Sequence, residues 1–469
     1  MRINLLEITT DELLEKFGAG SHKPGSGSAA AFQGMLSAKL LVTVISLTID
    51  IKRRSKYKEA YPTLVEMDTR IKERIFPELT RLFNEDAIQF GKTINAREER
   101  NREKDPFENH KLARLALKEL KESIEIPLNI GKLCIELADI AKFVFDKGFQ
   151  SARGDSQVAL SGSVAGIAGC LSIIQLNFLS FGSDEYDWTS KKNEEAKKLK
   201  SEYTRVLKIA DKKIETLENE VREKENFHNQ IDTLLKKLKS KKELSDNDIE
   251  KAARDLQNTI WLNRKIVWPD NIPDHPIKAL NPGKILQKAL AYKFAAVDQI
   301  ENPENLELSI AGIINQNERV VMVSKVFDQN IRNFTAAHEL GHALLHKQNI
   351  MHRDRPIDGS KFDMRKNLQE YQADKFSSYF LMPENIIRKV FYEIFGTNKF
   401  IINDESVFNF SKNSESDLRS ECKNLRGLAL KLASTERYRN NSFISIADLF
   451  KVSATAMAIR LEELDLIEF

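Results

Sequence analysis

Residues 334–346 read FTAAHELGHALLH and hold the single His-Glu-x-x-His of this chain. On a helix His338 and His342 stand one turn apart on the same face, so two imidazoles converge on one point. That pairing suits zinc, and Glu339, beside the first ligand, can take a proton from water that the metal has acidified. Gly341 admits a close neighbour, and the surrounding Phe334, Ala336, Ala337, Ala343, Leu344 and Leu345 read as a buried, water-poor helix. The chemistry is metal-assisted hydrolysis.

A hydrolytic zinc needs a third protein ligand and an open position. The stretch EYQADKFSSYFLMP, residues 370–383, offers the ligand. Glu370 and Asp374 stand one turn apart, and the apolar residues behind them read as a buried helix, where carboxylates need partners. Glu370 is the expected metal ligand, and Asp374 is expected to accept the outer N–H of a ligand histidine and fix its orientation. His346 lies one turn beyond His342 and is either a fourth ligand or a supporting residue. Two histidines, one carboxylate and a water position suffice, which favours support.

A second stretch is SHKPGSGSAAAF, residues 21–32, a glycine loop feeding a helix that starts near Ser28. The free N–H groups of such an end attract an anion or a polar ligand edge. FNEDAIQF (83–90), IPLNIGKLC (126–134) and SARGDSQVAL (151–160) bring further polar groups to helices rich in small residues.

The elements that must position these groups are mostly helical. Residues 28–51 are mostly apolar, and residues 61–94 and 112–145 are amphipathic at helical spacing, with Pro77 and Pro127 expected as breaks or first-turn residues. Residues 156–181 are uncharged, yet their Ser, Gly and Ala content and Gln175 and Asn177 read as a closely packed bundle helix rather than a membrane span. Residues 187–265 turn to Lys, Glu and Asn, with an apolar seam at Tyr203, Val206, Ala210, Ile214, Leu217 and Val221, then Ile231, Leu234 and Leu238. That seam reads as a helical hairpin joining two domains or as an intermolecular coiled coil. The proline-rich residues 268–283 open a new domain, and residues 306–314 and 319–325 read as an antiparallel hairpin ahead of the histidine helix. The expected division is 1–186, 187–267 and 268–469.

With 469 residues the chain has room for two or three cores. Seventy-two basic against 69 acidic residues give no electrostatic reason to expect nucleic acid or an anionic membrane as the main partner. Cys134, Cys170 and Cys422 are too few and too scattered for a disulfide framework or a cysteine metal site, and with an N-terminus unlike an export signal they fit the cytoplasm.

The segments RNFTAAHELGHALLH, EYQADKFSSYFLMP and VSATAMAIRLEELDLI, preceded by a hairpin, resemble the ImmA/IrrE family of metallo-endopeptidases. The resemblance implies a zincin-like α+β fold with a small antiparallel sheet, a gluzincin set of His338, His342 and Glu370 on Zn2+, and Glu339 as general base. It also implies a protein substrate such as a transcriptional repressor, cleaved during stress or mobile-element induction. The terminal segment looks like a helix-turn-helix, but in this family it belongs to the peptidase domain.

Residues 5–179 resemble the cyclodeaminase/cyclohydrolase family found in formiminotransferase-cyclodeaminase. This likeness implies an all-α bundle that forms a homodimer or higher homo-oligomer, and a pocket for a tetrahydrofolate derivative drawn from Pro24, Gly25, Gly27, Ser28, Asp86 and Asp155. Ser26 replaces the middle glycine of the family's Pro-Gly-Gly-Gly-Ser loop, and Arg153-Gly154-Asp155 stands where a Ser-Asp pair is common. The chain therefore reads as a mainly α multidomain protein: a helical bundle, a long coiled-coil-like connector and a zinc endopeptidase. The rival readings are a bifunctional folate enzyme with a secondary peptidase half, and a structural or DNA-binding regulator with a dead metal site.

Overall fold

The computed structural model describes residues 6–20, 24–241, 243–300, 310–347, 350–352, 368–410 and 414–469. Residues 1–5, residues 21–23 of the glycine loop and residues 306–309 of the expected first hairpin strand lie outside them. The chain divides into two compact units, Met1–Glu220 and Val221–Phe469.

The first unit is all α. It comprises α1 (Thr10–Gly18), α2 (Ser26–Ile49), α3 (Tyr61–Arg70), α4 (Phe76–Arg102), α5 (Pro106–Lys147), α6 (Arg153–Phe178) and the first part of α7 (Tyr186–Lys239). A π-helical turn, Ile71–Ile75, joins α3 to α4, and Pro77 sits just after it at the start of α4. Helices α2 and α6 are long and apolar enough to cross a membrane by length and composition. Here they pack on one another and on α5 through small residues: a Cβ on Gly166 would come within 3.2 Å of Ala30 O, and one on Gly34 within 3.0 Å of Cys134 Sγ.

Pro127 does not break its helix. It lies inside α5, which runs on past it. Proline removes the N–H that Ser123 O would accept one turn earlier, and Asn177 Nδ2 of α6 donates to that carbonyl instead, at 3.0 Å. A neighbouring side chain thus supplies the missing donor.

The expected connector is one 54-residue helix, α7, followed by α8 (Asp246–Leu262). Its apolar seam is shared out: Ala196, Leu199, Val206 and Ala210 are buried in the first core, and Phe227, Ile231, Leu234 and Leu238 in the second. Between them Ile214 and Val221 are exposed. Ion pairs fasten the first part of α7 along α5: Lys192 to Glu125 at 2.6 Å, Arg205 to Asp139 at 2.8 Å and Lys213 to Asp146 at 2.5 Å. The boundary between the two units falls within this helix, with residues 187–220 in the first unit and 221–267 in the second.

The second unit is α+β. After α8 come the short α9 (Arg264–Val267) and α10 (Pro282–Lys288), then β1 (Lys293–Val297), β2 (Gly312–Asn315), β3 (Val320–Ser324), α11 (Gln329–Leu345), β4 (Ile350–His352), α12 (Leu368–Leu381) and α13 (Glu384–Phe395). β2 and β3 form the expected antiparallel hairpin, with Ile313 opposite Met322. The sheet order is β1-β3-β2-β4, and β1 runs parallel to β3, so the sheet is mixed rather than wholly antiparallel. β5 (Phe400–Ile401), α14 (Asp404–Asn409), α15 (Glu415–Cys422), α16 (Leu425–Ser434), β6 (Arg437–Tyr438), β7 (Asn441–Ser442), α17 (Ile446–Phe450), α18 (Ala454–Glu463) and β8 (Ile467–Glu468) complete the unit.

Contacts at both α8 and α11 help fix α12. Gln257 Nε2 of α8 donates to Tyr379 O and Phe380 O, at 3.0 and 2.8 Å, satisfying the last carbonyls of α12. Gly341 lets α11 and α12 cross closely, since a Cβ there would lie 3.2 Å from both Ala373 Cα and Phe376 Cδ1.

Candidate functional site

The histidine helix is buried continuously from Phe334 to Leu345. Each large apolar side chain on it, Phe334, Leu340 and Leu344 among them, contributes about 1.5–3 kcal/mol by leaving water, so the polar residues of the motif are carried into the core by their neighbours.

There the side chains converge. His338 Nε2 lies 2.7 Å from His342 Nε2, and Glu370 on α12 reaches both, with Oε2 3.2 Å from His338 Nε2 and Oε1 3.4 Å from His342 Nε2. Ligands about 2.0–2.1 Å from a tetrahedral zinc stand about 3.3 Å from one another. The two distances to Glu370, each to a different carboxylate oxygen, are close to that edge, and the pair of nitrogens has to open by about 0.6 Å. The three residues fit a divalent ion, and they form a group of potential ligands within 4.8 Å of one another.

Behind His338, Nδ1 meets Asp374 Oδ1 at 2.8 Å, with both side chains buried. Behind His342, Nδ1 meets His346 Nδ1 at 2.9 Å, and His346 Nε2 meets Gln372 Oε1 at 3.0 Å. Both ring nitrogens of His346 are thus engaged by other side chains, and the group of potential ligands among the described residues does not include it. Gln316 Nε2 donates to His342 O and His346 O, at 3.0 and 3.3 Å, tying the end of α11 to the turn between β2 and β3.

Glu339 is 1% exposed and stands against β2: a Cβ on Gly312 would collide with the Thr335 methyl group and come within 2.9 Å of Glu339 Oε1. Only glycine there leaves room for the carboxylate. Burial, and then the neighbouring His338, lowers the pKa of His342 to about 3, and burial also lowers that of His346. Burial opposes ionisation of Glu370, but the adjoining His338 and His342 outweigh it and hold the carboxyl well below the usual range. His342 is therefore a neutral donor and Glu370 an anionic one at neutral pH.

Gln372, Gln316 and Gly312 escape sequence reasoning. Gln372 lies two positions from both Glu370 and Asp374, off the face those two share, so helical spacing gives no reason to bring it to the metal side.

In the first unit Gly25 caps α2, and Asp86 of α4 takes up the helix start: Ser28 N and Ser28 Oγ donate to Asp86 Oδ2 at 2.6 and 2.9 Å. Gly27 is required there, because a Cβ would collide with the Asp86 carboxylate. Burial raises the pKa of Asp86, and the bonds from Ser28 act against it. Pro24, Gly25, Gly27, Ser28 and Asp86 thus cluster. Asp155 does not join them within one chain. α2 and α6 run antiparallel, with Gly169 beside Ala30 and Gly162 beside Ser37, so the exposed Asp155 in the first turn of α6 lies at the opposite end. The separation is on the order of 20 Å along the helix.

Comparison with known proteins follows the same division. Residues 9–198 match the family model described as formiminotransferase-cyclodeaminase. Residues 306–400 match a peptidase family model described as the IrrE N-terminal-like domain. Two family domains share this chain. The cyclodeaminase-type domain is 27% identical over 170 residues to the methenyltetrahydrofolate cyclohydrolase of Methylorubrum extorquens, across 36% of this chain and 78% of that protein. The crystal structure of formiminotetrahydrofolate cyclodeaminase from Thermotoga maritima aligns with 45% of this chain and 98% of its own, at 16% identity and a TM-score of 0.39. The peptidase-type domain, 306–400, contains His338, Glu339, His342, Glu370 and Asp374.

Proposed function

We propose that the second unit is a zinc-dependent endopeptidase that cleaves a regulatory protein such as a transcriptional repressor in the cytoplasm. The observation that carries this reading is the convergence of His338 Nε2, His342 Nε2 and Glu370 with a carboxylate behind the first histidine. Zinc, when held by these three groups, supplies a Lewis acid that acidifies water and polarises a peptide carbonyl. The chain supplies the rest. Asp374 orients His338, and the packing from Phe334 to Leu345 keeps bulk water away. Glu339 takes the proton of the attacking water on its carboxylate and returns it to the leaving amine nitrogen.

The first unit, in this reading, carries the chain into a homodimer or higher homo-oligomer and binds a tetrahydrofolate derivative near the start of α2. The largely apolar outer faces of α2 and α6, with Leu36, Val158 and Leu176 exposed, support a helix-to-helix interface there. A second reading, methenyltetrahydrofolate cyclohydrolase activity with a secondary peptidase, is favoured by the 27% identity to the Methylorubrum extorquens enzyme.

One comparison tests the first reading: the proteome of cells expressing the intact chain against that of cells expressing Glu339→Gln, which keeps the metal ligands and removes the base. Peptide ends present only with the intact chain support the endopeptidase, and identical proteomes with full zinc occupancy defeat it. Spectrophotometric hydrolysis of methenyltetrahydrofolate that survives in Glu339→Gln supports the second reading.

A further inference from the structure

The hydrogen bonds behind His342 form a chain that begins at a group unable to donate. Gln372 Nε2 donates to Leu244 O at 3.2 Å. A backbone carbonyl has no proton, so the Gln372 amide must turn its NH2 toward Leu244 and its oxygen the other way; the reverse orientation would set two oxygens against each other. On the other side Gln372 Oε1 stands 3.0 Å from His346 Nε2. An amide oxygen only accepts, so Nε2 of His346 carries the proton. A neutral imidazole protonated there has a bare Nδ1.

That bare Nδ1 faces His342 Nδ1 at 2.9 Å. His342 must therefore carry its proton on Nδ1 and turn an unprotonated Nε2 toward Glu370 and His338. Asp374 imposes the same form on His338, whose Nδ1 it meets at 2.8 Å. Two nitrogen lone pairs then face each other across 2.7 Å, an arrangement that a cation between them relieves.

We propose that Gln372 is a positioning residue: anchored on the Leu244 carbonyl, it sets the tautomer of His346 and through it the tautomer of the metal ligand His342. The two ligand histidines are thus prepared by different devices, a carboxylate behind His338 and an uncharged relay behind His342. Glu370 and Asp374 already supply two negative charges for a divalent ion, and the relay fixes the second imidazole without adding a third. His346 and Gln372 each spend their hydrogen-bonding groups on this chain, and Leu244 lies far from the motif in sequence, which explains why no local pattern announces the relay.

The inference rests on the zinc-site reading, and its test keeps the two apart. Zinc-free full-length protein labelled with 15N at its eight histidines reports which ring nitrogens carry protons at a pH where imidazoles are neutral. His346→Asn identifies the His346 signals by their loss. The expected result is Nε2–H for His346 and Nδ1–H for His342. In Gln372→Met, close in volume but without the amide, His346 should become a mixture of tautomers, and the dissociation constant for Zn2+ alone, by chelator competition, should rise about 10–100-fold. Finding Nδ1–H on His346 in the unmodified protein overturns the proposal, as does a folded Gln372→Met with unchanged tautomers and zinc affinity. If Gln372→Met does not fold, the ring assignments of the unmodified protein decide alone. Failure of the intact chain to bind zinc defeats the metal-centre reading, whereas the tautomers of the zinc-free protein still judge this one.

Discussion

Replacing Asp374 by Asn keeps the shape of the side chain and removes the charge that holds His338. The bond it changes runs 2.8 Å from His338 Nδ1 to Asp374 Oδ1, between side chains exposed by only 1% and 2%. A hydrogen bond to a charged group contributes about 1.5–3 kcal/mol net, and a neutral one about 1 kcal/mol. Asparagine offering its oxygen keeps only the neutral bond; offering its NH2 forces the histidine proton onto Nε2, the atom that faces Glu370. Either way zinc binding weakens, and the expected rise in the zinc dissociation constant is about 10–100-fold, or roughly 1.4–2.7 kcal/mol. Chelator competition at neutral pH measures it, with the exposed Asp417→Asn as the control for a general change of charge. Asp374→Asn within about threefold of the unmodified protein would refute the argument that this carboxylate prepares a metal ligand.

Three further outcomes are expected. The pKa of His342 is lowered to about 3 in the folded chain, against about 6.5 when unfolded, so the unfolded chain binds the extra proton between those values. The stabilising contribution is full above about 6.5 and is lost as pH falls toward 3, about 2 kcal/mol of it by pH 5; urea unfolding of zinc-free protein should show that loss and His342→Leu should lack it. In the first unit, Asn177→Leu should cost about 1–3 kcal/mol by leaving Ser123 O without its donor, and about 1 kcal/mol less in a Pro127→Ala background, where the helix N–H returns; an equal cost in both backgrounds counts against the rescue. Gly341→Val should push α12 from α11, lower stability by about 1–3 kcal/mol and weaken zinc binding, since Glu370 travels with α12; unchanged zinc affinity would show that the close crossing does not set the site.

The parts of this protein legible in its sequence are those governed by local spacing. His338 and His342 share a helical face because they are four residues apart, and Glu370 and Asp374 do so for the same reason. The β2–β3 hairpin was legible from two β-rich runs around a short turn, whereas β1 was not, because KFAAV is brief and its partner is a parallel strand supplied from further along the chain. Pro127 reads as a break until Asn177, distant in sequence, is seen to satisfy the carbonyl it strands. The family resemblance groups Asp155 with the glycine loop, but the antiparallel run of α2 and α6 carries it to the other end. The seam of α7 is visible as periodicity, but periodicity does not say that its two halves serve two different cores.

Diffraction from crystals of the full chain grown with zinc, recorded on both sides of the zinc absorption edge, shows directly whether these three groups hold the metal. One anomalous peak is expected, bonded to His338 Nε2, His342 Nε2 and a Glu370 oxygen, at about 2.0–2.2 Å from each. A chain without that peak, or a zinc that leaves Glu370 turned away, would contradict the proposed zinc centre.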